Sequence, residues 1–169
     1  AGDPASDPDL DGTRNDMGAF FYNQSDGLIT YGCTNSEASN YDENADLDNE
    51  SCYITLWDIN YNIGQTTEIN RNNNSLTGEI PSEIGNLVHL ISLILSNNLI
   101  TGNIPSEIGN LVNLESLQLG NNQFTGAIPS EIGNLVNLES LQLVDNQLTG
   151  AIPSEIDNLN NLTYLYLDN

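Results

Sequence analysis

Lysine is absent from this chain of 169 residues, and other basic residues are scarce. The chain contains two arginines, Arg14 and Arg71, and one histidine against 24 aspartates and glutamates, which gives a formal net charge of −22. Binding nucleic acid requires cations that displace the counterions of the phosphates. We therefore predict no nucleic-acid partner, and an anionic membrane surface is disfavoured for the same reason.

Long apolar runs are also missing. No run approaches the about 20 residues of a membrane helix, and residues 1–30 lack the basic start and apolar core of a signal peptide. We therefore predict no membrane insertion. The opening AGDPASDPDL resembles the inside of a longer polypeptide or a processed start, so the missing signal does not argue against export.

Cysteine is limited to Cys33 and Cys52. No third cysteine or nearby histidine accompanies them, so a zinc site is disfavoured. A disulfide is the better interpretation, and closing this loop would contribute about 3 kcal/mol to stability. Because disulfides persist in oxidising compartments, we predict an extracellular or cell-surface location.

Catalytic motifs are missing as well. The sequence contains no GxSxG, no HExxH and no glycine-rich phosphate loop. Its one histidine, His89, occupies an asparagine position of the repeat described below, so we interpret it as an exposed variant. We therefore predict that the chain is not an enzyme and requires no cofactor.

The second half of the chain is one unit of 24 residues written four times and a fraction. The full copies span residues 66–89, 90–113, 114–137 and 138–161, and a partial copy spans 162–169. Their common pattern is LxxLxLxxNxLTGxIPxxIGNLxN. A fixed period of this length indicates stacked structural units, each of which covers its neighbour.

Each part of the repeat predicts a local structure. Alternation around Leu117 and Leu119 predicts a short strand with these leucines inward, and strands of successive copies should pair in parallel. The Thr125 and Gly126 step predicts a tight turn with permissive backbone angles. Pro129 rules out a long helix, so the SEIGNL segment that follows it predicts a 3₁₀ or irregular turn.

One asparagine recurs where the chain leaves each strand. Its side-chain amide can bond the backbone of adjacent turns, so the repeats predict a ladder of asparagines inside the stack. Removing one buried partner of this kind should cost about 1 to 3 kcal/mol. The ladder positions are Asn74, Asn98, Asn122 and Asn146.

The repeat sequence LTGxIPSEIGNLxNLxxLxL, over residues 66–169, resembles the plant-type leucine-rich repeat of receptor-kinase ectodomains and of many bacterial surface proteins. The resemblance implies a right-handed α/β repeat solenoid with a parallel β-sheet on its concave face and a 3₁₀ or irregular convex side. It also implies a surface that binds proteins or other ligands. The repeated Leu, Ile, Asn, Gly and Pro positions are then scaffold.

The candidate ligand-binding residues are the outward positions of the strands on the concave face. Neighbouring copies carry the same Ser and Gln there, whereas two tyrosines in the partial copy stand out, because tyrosine is favoured at interfaces. The candidates are Ser92, Ile94, Ser96, Ser116, Gln118, Gly120, Ser140, Gln142, Val144, Tyr164 and Tyr166.

The two ends of the repeat region differ. In the first copy, Thr66 and Arg71 stand where leucines are expected, and residues 53–65 precede it. We predict that this stretch is the N-terminal cap, with Trp57 covering the first core layer. The other end stops inside a fifth copy without a cap, so either the polypeptide continues or the open edge docks on another subunit.

The N-terminal third contains two further segments. Residues 32–52 match GCTxxxAxNYxxxAxxDxxSC and resemble a cysteine-bounded module found beside repeat or adhesive domains in secreted proteins of marine bacteria. We expect this acidic, disulfide-bonded segment to be mostly irregular. Residues 1–31 form an acidic segment whose DPDLDGTRNDMGAFFYNQ resembles the closing part of secreted β-helix proteins, as a remnant of a preceding domain would.

Two acidic clusters are candidates for calcium, whose preferred ligands are carboxylate and amide oxygens. The first is a DxDxDG pattern that lacks the final glutamate of an EF-hand loop, and the second alternates acids within the cysteine module. The alternative for both is a solvated acidic loop. The candidate ligands are Asp7, Asp9, Asp11 and Asp16 in the first cluster, and Asp42, Asn44, Asp46, Asp48 and Glu50 in the second.

The sequence thus predicts a non-catalytic, extracellular module for protein binding or adhesion, whose partner is a protein or a surface ligand. One alternative is a structural subunit that assembles into a filament or surface layer by repeat stacking at the open C-terminal edge. A lesser alternative is binding of ice or a mineral surface by the polar repeat face.

Overall fold

The computed structural model of the chain describes residues 22–24 and 27–168. The first candidate calcium cluster lies outside these residues. Fifteen strands and four 3₁₀ helices are assigned in the described part. The strands are β1 Tyr22–Gln24, β2 Gly27–Ile29, β3 Tyr31–Gly32, β4 Leu47–Asp48, β5 Tyr53–Leu56, β6 Ile59–Asn62, β7 Glu68–Asn70, β8 Thr77–Gly78, β9 Ser92–Ile94, β10 Leu99–Ile100, β11 Ser116–Gln118, β12 Thr125–Gly126, β13 Ser140–Gln142, β14 Gln147–Leu148 and β15 Tyr164–Tyr166. The helices are η1 Ser82–Asn86, η2 Ser106–Asn110, η3 Ser130–Asn134 and η4 Ser154–Asn158.

One parallel sheet runs through the repeat region. Its five strands lie in the order β15-β13-β11-β9-β7, one from each copy, as the alternation of leucines predicts. The period sets the register, because residues 24 positions apart pair directly: Leu117 lies beside Leu93 on one side and Leu141 on the other. The predicted solenoid with a parallel sheet is confirmed.

Inward leucines and isoleucines of successive copies form one continuous core. Leu93, Leu117 and Leu141 have no exposed surface, and Ile108 and Ile132 close the core from the 3₁₀ side. Burying one such side chain contributes about 1.5 to 3 kcal/mol, less the entropy of ordering it. No single copy could bury this surface alone, so the fold depends on stacking.

The convex side of each full copy is a 3₁₀ helix, as the SEIGNL segment predicts. A proline in extended conformation precedes each helix, for example Pro129 with φ −66° and ψ 141°. The glycine of each SEIGN lies against the next copy: a Cβ on Gly109 would lie 2.5 Å from the backbone oxygen of Glu131. In the fourth copy Asp157 takes this position and is exposed. Among the described residues, close stacking therefore requires glycine where the 3₁₀ helix of the next copy packs against it.

The Thr-Gly step forms both the predicted turn and a short strand that the sequence did not predict. Gly126 has φ +73°, as the permissive backbone predicts, but Thr125 and Gly126 also form a two-residue strand that pairs in parallel with Gln147 and Leu148. The pair β8 and β10 repeats this arrangement one level earlier. A second line of hydrogen bonds thus joins the copies behind the main sheet.

The asparagine ladder is present from the second copy onward. The Asn122 amide donates to the carbonyl of Leu95 in the preceding copy at 2.9 Å, and its Oδ1 accepts the N–H of Ile100 at 3.1 Å. Asn98 and Asn146 bond in the same way. These bonds satisfy backbone groups that the turns leave unpaired inside the stack.

The ladder prediction is wrong for Asn74. This side chain is exposed and its amide bonds the nearby carbonyl of Asn72. The reason is its place in the stack, since no repeat precedes it whose backbone it could bond. Its own N–H instead donates to Asn98 Oδ1 at 3.0 Å.

The antiparallel hairpin of β5 and β6 packs against the core of the repeats at the first end of the solenoid. Ile54 and Leu56 are buried in the same core as the repeats, and Trp57 packs against that core as predicted. Tyr61 accepts a hydrogen bond from Arg71 Nε at 3.1 Å, so the arginine that replaces a core leucine contacts the hairpin. Polar atoms at this end are thereby paired and not left inside the apolar stack.

The predicted disulfide joins Cys33 and Cys52, whose Cα atoms are 4.8 Å apart. Both cysteines are buried and, with Ala38, form a small second core against which Ile63 packs. The short strands β3 and β4 of this segment pair in parallel, and Cys33 forms a single β-bridge with Tyr41. The rest of residues 32–52 is turns, bends and irregular chain. The disulfide thus ties this irregular segment to the chain that leads into the hairpin.

At the C-terminal end of the described residues, β15 is the outermost strand of the parallel sheet. Leu165 is 44% exposed there, although its counterpart Leu141 is fully buried.

Nothing in residues 22–24 and 27–168 forms a helix long and apolar enough to span a membrane.

Candidate functional site

Two rows of side chains run across the concave sheet face. Register places Ser92, Ser116 and Ser140 in one row that ends at Tyr164. The second row contains Ile94, Gln118 and Gln142 and ends at Tyr166. The serines, the glutamines and Ile94 are half-buried, so each keeps part of its surface for contact. The structure therefore brings eight of the predicted residues together on one surface.

The third predicted row is less accessible. Ser96 is only 9% exposed, and Val144, two copies further along the stack, is half-buried. A Cβ on Gly120 would lie 3.0 Å from Val144 Cγ2, so the valine side chain covers the glycine. Ser96 and Gly120 accordingly offer a ligand little surface, and Val144 provides most of this row.

The tyrosines of β15 are the most prominent side chains of the face. Tyr164 is 56% exposed and Tyr166 is 47% exposed, and both alternate outward on one short strand. Each pairs across the strands with a polar residue, Ser140 and Gln142 respectively. Tyrosine is one of the residue types that are enriched in binding hot spots.

A groove at the side of the sheet escaped the sequence prediction. This lateral groove has a volume of about 440 Å³ and is open to solvent. It lies where the chain enters the strands, and Glu115 borders it. Its lining residues are Thr67, His89, Ile91, Asn113, Glu115 and Asn137. The signal that could have found it is the repeat register, which aligns Thr67, Ile91 and Glu115 just before their strands.

Asparagines brace this groove. The Asn113 amide donates to the carbonyl of Val88 at 2.8 Å, and the Asn137 amide donates to that of Val112 at 2.9 Å. His89 stands in the same repeat position and is exposed, as predicted. The groove wall is therefore held by side-chain bonds between consecutive copies.

The acidic residues of the cysteine module bond their own backbone. Asp42 Oδ1 accepts the N–H of Asn44 at 2.9 Å, and Asp48 Oδ1 accepts that of Glu50 at 2.9 Å. Asp46 Oδ2 instead accepts the N–H of Thr30 at 3.0 Å. Over the described ranges, no three His, Cys, Asp or Glu side chains are grouped so that they could hold a metal ion. Calcium binding at Asp42, Asn44, Asp46, Asp48 and Glu50 stays a prediction.

A second concavity lies between the cysteine module and the first two 3₁₀ helices. Its volume is about 400 Å³, and its lining includes Glu37, Glu83 and Glu107 together with serines and asparagines. The residues that line this concavity are polar, and none of them is an outward residue of the sheet strands. It is separate from the sheet face.

Comparison with known proteins places the repeats among well-studied relatives. The model of the family described as "Leucine-rich repeat region" matches residues 70–169. None of the curated protein sequences matches the chain. The family match begins after the cysteine module, so the resemblance of residues 32–52 to secreted marine bacterial proteins gains no support.

Several solved structures, a plant peptide hormone receptor among them, are similar to about three fifths of this chain. A TDR receptor is 42% identical with a TM-score of 0.61, over 62% of this chain and 18% of its own. The plant peptide hormone receptor RGFR1, solved in complex with RGF2, is 40% identical with a TM-score of 0.59, over 60% of this chain and 16% of its own. The BIR2 ectodomain from Arabidopsis thaliana is 31% identical with a TM-score of 0.55, over 66% of this chain and 57% of its own. The chain thus spans less than a fifth of the first two receptors' length and somewhat over half of the third.

Proposed function

Because this chain belongs to the leucine-rich-repeat family, we propose that it is a non-catalytic, extracellular scaffold that binds a peptide or protein segment on the concave face of its sheet. The observation that carries the proposal is the pair of exposed tyrosines, Tyr164 and Tyr166, at the end of two rows of partly exposed serines and glutamines. A rigid sheet holds these side chains at fixed spacing, so a ligand meets a surface that needs little reordering.

The relatives support this proposal. One is a plant peptide hormone receptor solved in complex with RGF2, and another is an ectodomain from Arabidopsis thaliana. The disulfide between Cys33 and Cys52 supports an extracellular location, because such bridges persist in oxidising compartments. Adhesion is the form that this function takes if the partner belongs to another cell or a matrix.

A displayed library of random peptides tests the proposal without a known ligand. We expect it to yield peptides that bind the chain about tenfold better than they bind a variant carrying Gln118→Ala, Gln142→Ala and Tyr166→Ala. A matched control carries Gln123→Ala, Gln147→Ala and Tyr41→Ala. It removes the same residue types away from the concave face, and Tyr41 is 47% exposed, as Tyr166 is. Circular dichroism should show both variants folded.

The proposal fails if no selected peptide distinguishes the two variants. Peptides that bind both equally would lie elsewhere on the surface. The expected result is a group of peptides that bind the control variant but not the variant with Gln118→Ala, Gln142→Ala and Tyr166→Ala.

A structural subunit is the second candidate function. The observation in its favour is the near identity of the 24-residue copies, because identical units can stack on one another. The hairpin of β5 and β6 packs against the core at the first end of the solenoid, which works against head-to-tail stacking into filaments. Sedimentation at increasing concentration tests it: a strict monomer, together with no fibres in electron micrographs, would rule it out for this chain.

A further inference from the structure

We infer that the ligand of the concave face is an extended peptide segment bearing lysine or arginine, with a cationic side chain held against Glu115 and Glu139. The inference rests on the proposed function and adds the chemistry of the ligand. It is carried by two stacked carboxylates, an exposed isoleucine beside one of them, two tyrosines and the scarcity of cations.

Glu115 and Glu139 occupy the same position in consecutive copies. The backbone N–H of Glu139 donates to the carbonyl of Glu115 at 2.8 Å, and both side chains are exposed. Adjacent strands lie about 4.8 Å apart, so the two carboxylates project as neighbours. Like charges placed this way repel each other, and a cation between them relieves the repulsion.

The lateral groove suits a long cationic side chain. Ile91, in the copy before Glu115, is 40% exposed and lines the groove with it. Lysine and arginine combine an apolar stem with a charged head. The stem can lie on Ile91 while the head reaches Glu115 and Glu139, which no acidic or short polar side chain can do.

The tyrosines offer a second place for a cation. Tyr164 and Tyr166 are about half exposed on the outer strand, and Asp168 follows them with an exposed side chain. A guanidinium or ammonium group over a tyrosine ring gains cation–π attraction, and a nearby carboxylate adds to it. Both places therefore favour the same sign of charge in the ligand.

The face offers almost nothing to an anionic ligand. Within the repeat region the only lysine or arginine is Arg71. That residue is half-buried at the capped end, where its Nε donates to Tyr61. A second copy of the chain is an equally poor occupant, because each copy carries a formal charge of −22.

The test peptides are matched in length to the five strands that the structure describes. Five strands with four intervals of about 4.8 Å span about 19 Å across the sheet. An extended peptide rises about 3.3 Å per residue, so about six residues cross the face. A library of about eight random residues therefore covers the surface with a margin at each end.

The experiment combines selection with a matched pair of charge variants. Peptides of about eight residues are selected on the full chain, and those that depend on Gln118, Gln142 and Tyr166 are sequenced. We expect an excess of lysine and arginine over the unselected library. Dissociation constants of the strongest peptides are then measured by fluorescence anisotropy at low and high salt, where screening should weaken them.

Position is separated from net charge by comparing two double variants. Glu115→Gln with Glu139→Gln should weaken the selected peptides about tenfold, as the loss of two exposed ion pairs would. Glu131→Gln with Glu155→Gln makes the same charge change in the same two copies, but on exposed residues of the 3₁₀ helices. We expect about twofold or less from this control.

Each other outcome overturns the inference. Equal weakening by both double variants would mean that the peptides respond only to the overall charge. Peptides that need Gln118, Gln142 and Tyr166 but carry no excess of basic residues would contradict the ligand chemistry and leave the proposed function standing. If no peptide depends on those three residues, the proposed function fails first.

Discussion

Asn122 joins two copies of the repeat by donating its side-chain amide to the carbonyl of Leu95, 2.9 Å away in the preceding copy. The same side chain accepts the N–H of Ile100 at 3.1 Å and is 8% exposed. Its hydrogen bond therefore joins two consecutive copies inside the core, between residues that are 27 positions apart in the sequence. The stability of the stack depends on such side chains as well as on leucine packing.

Replacing Asn122 with alanine should lower the free energy of unfolding by about 1 to 3 kcal/mol, because buried backbone groups lose their partners. Chemical denaturation measures the change. Asn74→Ala is the matched control, since Asn74 occupies the same repeat position but is exposed. Equal losses in the two variants would show that burial of the amide does not matter.

Gly109→Ala should destabilise the chain by about 1 to 3 kcal/mol. The added Cβ would lie 2.5 Å from the backbone oxygen of Glu131, so the copies must move apart. Asp157→Ala changes the corresponding residue of the fourth copy, where the side chain is already exposed, and should change stability little. Thermal melting of the two variants checks this, and a melting temperature that is unaltered in Gly109→Ala would contradict the close contact.

Reduction of the bridge between Cys33 and Cys52 should remove about 3 kcal/mol of stability, because the loop it closes regains freedom in the unfolded chain. Denaturation with and without a reducing agent measures this loss. A variant with Cys33→Ser and Cys52→Ser controls for side effects of the reagent. Its stability should match that of the reduced chain and should not respond to reductant.

Calcium binding is tested by calorimetry and by melting curves with calcium and with a chelator. Binding at either acidic cluster predicts heat on titration and a higher melting temperature, because a ligand of the folded state stabilises it. Asp7→Asn with Asp11→Asn, and Asp42→Asn with Asp46→Asn, assign the signal to one cluster. If the unmodified chain shows no heat on titration and no shift in melting temperature, both calcium sites are ruled out.

The sequence predicted which side chains lie on the sheet face, but it did not predict how exposed each of them is to solvent. Ser92 and Ser96 are both outward by alternation, yet Ser92 is half-buried and Ser96 is only 9% exposed. The difference arises because Ser96 follows the strand, where the chain turns inward beside Gly120 and Val144. Alternation describes a strand and no longer holds once the strand has ended.

The sequence by itself determined the repeat, the parallel pairing, the 3₁₀ turns and the continuous core. It could do so because these depend on residues within one copy and on the fixed period of 24, which brings equal positions together. Only the tertiary structure decided that Asn74 stays outside the ladder, that Tyr61 meets Arg71, and that Glu115 borders an open groove. Those relationships depend on what stands next to each copy in the stack, and no pattern within a single repeat contains that information.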